Sequence, residues 1–240
     1  MLITHKHLEE SIEYDGSQIE ASWAFKSFGI KGSSIITWIG SMNITPDNLK
    51  DFEDVGLEIK SDKIINIIVE HFDEQPANLR IAYMRQRLLV VILKDMLSKM
   101  GIESIRKGDD IYIVSKAKPK SKSKSKSSNR LSKTIYKKLT VSIATISQSS
   151  MKIHLGINLT SEGTPEDVET IGILELFEDI NLNNIKLDNT NINKTNLNYI
   201  SLDNANMNDI NLIDFINNIV KNYMDELNDI ELDISKTNLL

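Results

Sequence analysis

The stretch from Lys137 to Leu159, KKLTVSIATISQSSMKIHLGINL, alternates apolar and polar side chains on either side of a serine-rich turn. Successive side chains of a strand point to opposite faces of a sheet, so this alternation predicts a β-hairpin of two strands, each roughly nine residues long. A chain with such a hairpin must build its core around a sheet. A lysine enters the first strand and His154 stands near the end of the second.

Helical spacing appears in three places. Ser61 is a candidate N-cap for DKIINIIVEHF, in which Ile64, Ile65, Ile68 and Phe72 share one helical face. Asn78 is placed to cap LRIAYMRQRLLVVILKDMLSKM, with Gly101 in the position favoured for a helix stop. Its Leu79, Ala82, Leu89, Leu93 and Met96 form a broad apolar stripe, which predicts the central buried helix. Ile213, Ile216, Val220, Met224 and Leu227 mark a last amphipathic helix. Short strands complete the pattern: Asp15-Gly16 signals a turn, Ser34 to Ile39 alternates and is closed by Gly40, and IESI and DIYIV form a hairpin about Lys107 to Asp109.

Two segments break the pattern. Residues 116–130, KAKPKSKSKSKSSNR, hold no aromatic and no large apolar side chain, so burial cannot offset the entropy of ordering them; the expectation is a disordered loop between two strands of one sheet. From Phe177 a period of five appears, in the row Leu182, Leu187, Ile192, Leu197, Leu202, Met207 and Leu212. Neither a helix nor a strand keeps residues five apart on one face. Residues 180–211 therefore read either as an insertion resembling pentapeptide repeats or as a low-complexity insertion. The remaining residues, 1–179 with 212–240, form one domain.

Composition narrows the function. The net charge is −6, yet Lys116 to Lys138 contains nine lysines, one arginine and no acid, which leaves −16 on the rest. An acidic body with one basic strap does not suit general nucleic-acid binding, although the strap could hold an RNA or protein partner. There is no cysteine, which removes disulfides, thiolate metal sites and cysteine nucleophiles together. No apolar run reaches the ~20 residues that cross a bilayer, and the N-terminus lacks a signal-peptide core, so a cytoplasmic protein with no membrane contact is expected.

Several motifs stand in order: YDGSQI, WAF, FGIKGSS, FEDV, IVEHFD, MRQRLLV, GDDIYIV, KKLTVSIATIS, IHLGIN and GTP. Together they resemble an uncharacterised archaeal family, domain-of-unknown-function family 366, from about residue 10 to 175 and again in the last helix. More distantly, KLTVSIAT and HLGIN resemble the lysine strand and the following histidine motif of biotin and lipoate protein ligases and octanoyl transferases. That resemblance implies an α+β fold, a mixed or antiparallel sheet with packed helices of the biotin/lipoate protein ligase (class II synthetase-like) kind. It also implies that Lys138 meets an acyl carbonyl or acyl-adenylate, where a fixed cation stabilises developing negative charge. Two departures matter. IGILEL stands where octanoyl transferases carry their cysteine, and RKGDDIYI, with one glycine and two acids, stands where ligases hold phosphates. Asp109 and Asp110 would repel a phosphate unless a divalent cation bridged them.

Around Lys138 the candidate site residues are His154, Asp110, Arg85, Arg87, Asp15 and Gly16. Arg85 and Arg87 lie in an apolar helix and need an anion, either a ligand or an acid such as Glu70 or Asp73. His154 either walls a pocket or ends a strand, and Asp15 with Gly16 either lines a pocket or makes a turn. His5 and His7 alternate like a metal-binding pair without completing a four-ligand set. The function expected is a small-molecule or acyl-group-binding enzyme of the acyltransferase or ligase type without a cysteine nucleophile, using ATP or an acyl donor. The alternative is a non-catalytic module that binds protein or RNA.

Overall fold

The computed structural model describes residues 2–116, 134–177 and 212–237, so the body of the basic strap and the five-residue rows lie outside the described residues. Eight strands and three helices are named here: β1 (Thr4–His7), α1 (Trp23–Phe28), β2 (Ser34–Asn43), β3 (Lys60–His71), α2 (Leu79–Lys99), β4 (Ser104–Lys107), β5 (Asp110–Lys116), β6 (Thr134–Lys138), β7 (Thr140–Ile146), β8 (Met151–Asn158) and α3 (Leu212–Ser235). The fold is α+β. A five-stranded mixed sheet runs β1-β2-β3-β8-β7, parallel between β1 and β2 and antiparallel elsewhere, and a second antiparallel sheet runs β4-β5-β6.

Most of residues 62–72, expected as a helix, lies in strand β3 (Lys60–His71), and the reason is physical. Ile64, Ile65, Ile67, Ile68 and Val69 are all buried. A strand covered on both faces reads as a continuous apolar run, which an amphipathic helix of the same length also satisfies. β-branched side chains tip the balance, since they fit a pleated surface better than a helix turn. β2 and β8 take up the hydrogen bonds on either edge. One face of β3 places Ile65, Ile67 and Val69 against Ala82, Leu89, Leu93 and Leu97 of α2 and Phe215, Ile216, Ile219 and Tyr223 of α3. The other packs Ile64 and Ile68 with Tyr14, Ala24, Ile36, Trp38 and Met42.

α2 forms where the capping signals place it. The Asn78 side chain accepts from the N–H groups of Arg80 and Ile81, and Gly101 just beyond the end has φ 79°. Leu79, expected in the apolar stripe, is instead exposed in the first turn. Strand β2 runs three residues past Gly40, the expected stop, through a bulge between Gly40 and Met42. Glycine is needed there for space: a Cβ at position 40 would lie 2.1 Å from the Ile12 carbonyl oxygen.

The opening hairpin resolves into more than two strands. Lys137 and Lys138 end β6 and pair with β5, whereas Thr140 onward pairs with β8. Leu139 is the pivot: its N–H donates to Ile111 O, its carbonyl accepts from Asn158 N–H, and its side chain is buried. β5 and β6, which flank the basic strap, are neighbours in one sheet, as expected. No helix among the described residues is long and apolar enough to cross a membrane.

Gly40→Ala is expected to force the 12–14 segment off β2, losing the 2.8 Å hydrogen bond from Trp38 Nε1 to Ile12 O. Urea unfolding followed by tryptophan fluorescence should show a loss of roughly 1–3 kcal/mol, the usual cost of overpacking; an unchanged midpoint would refute the close approach.

Candidate functional site

The tip of the β4–β5 hairpin carries two adjacent acids, and each meets a cation from a different element. Gly108 takes φ 63° in the turn. Asp109 Oδ1 lies 2.9 Å from Arg87 Nη1 of α2, and its Oδ2 accepts from Gln86 Nε2 at 2.8 Å and Ser142 Oγ at 3.2 Å. Asp110 Oδ2 lies 2.8 Å from Lys138 Nζ. The hairpin tip is thereby tied to α2, to β7 and to the β6–β7 junction.

Lys138 is held firmly by its backbone. Its N–H donates to Glu169 O at 2.7 Å, and its carbonyl accepts from Ile171 N–H at 3.1 Å. The side chain remains 29% exposed, so its ammonium is accessible while its root is fixed. Burial works against the ammonium, but the Asp110 carboxylate outweighs it and holds Lys138 above the ordinary lysine value. Burial raises Asp110 above the usual carboxylate range; Lys138 opposes that shift and Asp109 adds to it. Asp54 faces the same charges: burial, then Asp51, raises it, and Lys138 pulls it down.

The cluster leaves polar atoms unmatched. Gln86 is fully buried, and its Oε1 has no hydrogen-bond partner among the described residues. Arg87 Nη1 is within ion-pair distance of Asp109 yet makes no aligned hydrogen bond, so the contact is one of charge rather than of directed donation.

Of the expected residues, Lys138, Asp110 and Arg87 come together here. The others have partners of their own. Arg85 grips Asp73 through two hydrogen bonds of 2.7 and 2.6 Å, one of the two acids offered as partners by the sequence. Asp15 Oδ1 accepts from Ser17 N–H and Oγ, and Gly16, at φ 90°, packs against Asn48; they form a turn rather than an open pocket wall. His154 is fully buried, so it does not line an open cavity. Its Nε2 lies 3.0 Å from Asn66 Oδ1 and its ring is stacked on Tyr14 at 3.7 Å. Sequence reasoning missed Gln86 and Ser142, although a glutamine between two arginines in an apolar helix was a visible signal. Glu70, the other acid expected as a partner for the arginines, is buried and instead accepts from Ser22 N–H and Ser150 Oγ, directly across from Lys152. An open cleft of about 730 Å³ lies apart from Lys138, between residues 56–60 and 163–167.

Burial depresses His154 to about 3, and burial together with the Arg85 charge does the same to His71, which is hydrogen-bonded to Tyr223 at 2.9 Å. The unfolded chain takes up these protons near 6.5 and the folded protein does not. Stability is therefore present above that value and is lost as pH falls toward 3, at up to about 1.4 kcal/mol per pH unit for each histidine. His154→Gln should remove one share of this slope in denaturant titrations between neutral pH and about pH 4; an unchanged slope would contradict the buried neutral imidazole.

A sequence model of the family described as Domain of unknown function (DUF366) matches residues 3–135 and 123–192. An uncharacterised protein of Methanocaldococcus jannaschii is 38% identical over 175 residues, spanning 70% of this chain and 68% of that protein. A protein of unknown function from Pyrococcus horikoshi has a similar structure, with a TM-score of 0.61 and 31% identity over 81% of this chain and 100% of that one. A bi-partite lipoate protein ligase from Thermoplasma acidophilum is more remote, with a TM-score of 0.45 and 13% identity over 95% of this chain and 85% of that one.

Proposed function

The chain belongs to the family described as Domain of unknown function (DUF366), and on that premise we propose a small-molecule or acyl-group-binding enzyme of the acyltransferase or ligase type, working without a cysteine nucleophile. One observation carries the reading: Lys138 has a fixed backbone and a reachable ammonium, held 2.8 Å from Asp110. A preorganised cation of this kind stabilises negative charge that develops on a carbonyl or adenylate oxygen, because nothing must reorganise when the charge appears. Asp110 keeps the ammonium charged in the meantime, and an entering anionic oxygen takes over or shares its place. Arg87, paired with Asp109 at 2.9 Å, adds a second cation beside the same hairpin tip. ATP or an activated acyl donor is the co-reactant class this chemistry calls for.

A second reading is favoured by the run of lysines without an acid in residues 116–130. In it the protein is a non-catalytic module for a protein or RNA partner, with the basic segment 116–130 supplying electrostatic attachment.

Thermal-shift measurements with biotin, lipoate, octanoate, acyl-CoA and ATP separate the two. A ligand at 100 times its dissociation constant stabilises the native state by ~2.7 kcal/mol. The enzyme reading expects a shift with at least one of them, abolished by Lys138→Ala and retained or enlarged by Asp110→Asn, which frees the ammonium. A shift indifferent to Lys138→Ala overturns the site. Absence of any shift, with salt-sensitive RNA retention lost on deleting residues 116–130, supports the module instead.

A further inference from the structure

The chain has four histidines, and two of them, His71 and His154, are fully buried and hydrogen-bonded. The other two lie together. β1 puts His5 and His7 on one side of an edge strand, since residues two apart share a face. His5 Nε2 and His7 Nδ1 each stand 3.0 Å from the same atom, Thr37 Oγ1 on the adjacent strand β2. Thr37 is fully buried and directly opposite His7 in the parallel register. Its hydroxyl has one proton, so it donates to one imidazole and accepts from the other.

Two ring nitrogens aimed at one oxygen are at most twice that distance apart. A tetrahedral metal with bonds of about 2.0 Å needs them about 3.3 Å apart, which side-chain rotation on an edge strand can supply. The imidazole that now donates to Thr37 can shift its proton to its other nitrogen, so both lone pairs become available without a change in charge. Access is provided by a groove of about 340 Å³ between His5 and α3, lined also by Asn217, Asn218, Lys221 and Asp225. Asp225 is paired with Lys221 in an exposed i,i+4 contact, a kind of pair worth little, so its carboxylate is available across the groove.

We propose that His5 and His7, backed by Thr37, form a site for a divalent transition metal of the zinc, nickel or copper class, linking the edge strand β1 to the groove of α3. Imidazole donors select these metals over magnesium and calcium. The described residues hold no cluster of three His, Asp, Glu or Cys ligands. Water, or Asp225 after a local shift, completes the coordination shell, and the affinity expected is about micromolar rather than that of a closed structural zinc site.

The test uses the full chain prepared without a histidine tag, titrated calorimetrically with Zn²⁺ and Cu²⁺, with electron paramagnetic resonance of the Cu²⁺ form. One equivalent should bind, with nitrogen hyperfine coupling in the copper spectrum. The His5→Gln/His7→Gln double variant, which keeps hydrogen-bonding groups beside Thr37, should bind more than roughly tenfold more weakly. No saturable binding in the micromolar range, a copper spectrum without nitrogen coupling, or binding unchanged in the double variant would each overturn the site. The wild-type spectrum decides the matter even if the double variant does not fold.

Discussion

The burial of β3 on both faces and both edges is the constraint from which the rest of the structure is positioned. Its two edges are occupied by β2 and β8, and its two faces by α2 with α3 and by the Tyr14, Trp38 and Ala24 layer. Fully burying one isoleucine-sized side chain contributes about 1.5–3 kcal/mol, and β3 does this on each face in turn. A strand in that situation has no freedom of register, because a slip of one residue would exchange the sets of side chains seen by the two layers.

From that fixed strand the candidate site follows by short steps. β8 is set by β3, β7 by β8, and Leu139 then turns the chain from the larger sheet into the smaller one. Lys138 stands one residue before the pivot and inherits its rigidity. The β4–β5 tip reaches the same place because Asp109 and Asp110 find cations on α2 and at the junction. Partly buried ion pairs of this sort are costly to desolvate and add little net stability, so their value lies in fixing where charge sits.

Much of this was legible in the sequence, and the failures have definite causes. α2 was legible because Asn78 and Gly101 bracket a helical stripe, and so was the need of Arg85 for an anion, because a guanidinium in an apolar helix demands one; that Asp73 rather than Glu70 meets it was not. β3 was not, because five apolar positions within six residues satisfy a helix face and a doubly buried strand alike. Gly40 read as a stop because its spatial neighbour, Ile12, comes from another segment of the chain. His154 looked like the wall of a pocket because nothing local shows that Asn66, 88 residues away, and Tyr14 enclose it. The strand carrying Lys138 was recognisable, but its separation from the hairpin that follows depends on the long-range partners of Leu139.

The central claim is that Lys138 and the hairpin tip form one ligand-binding locus. Two-dimensional ¹⁵N–¹H NMR of the full chain, titrated with octanoate as a simple acyl carboxylate, tests it most directly. The account predicts chemical-shift changes concentrated at Asp109, Asp110, Ile111, Lys138, Thr140 and Ser142. Changes confined to the cleft between residues 56–60 and 163–167, with the Lys138 signals unmoved, would contradict it.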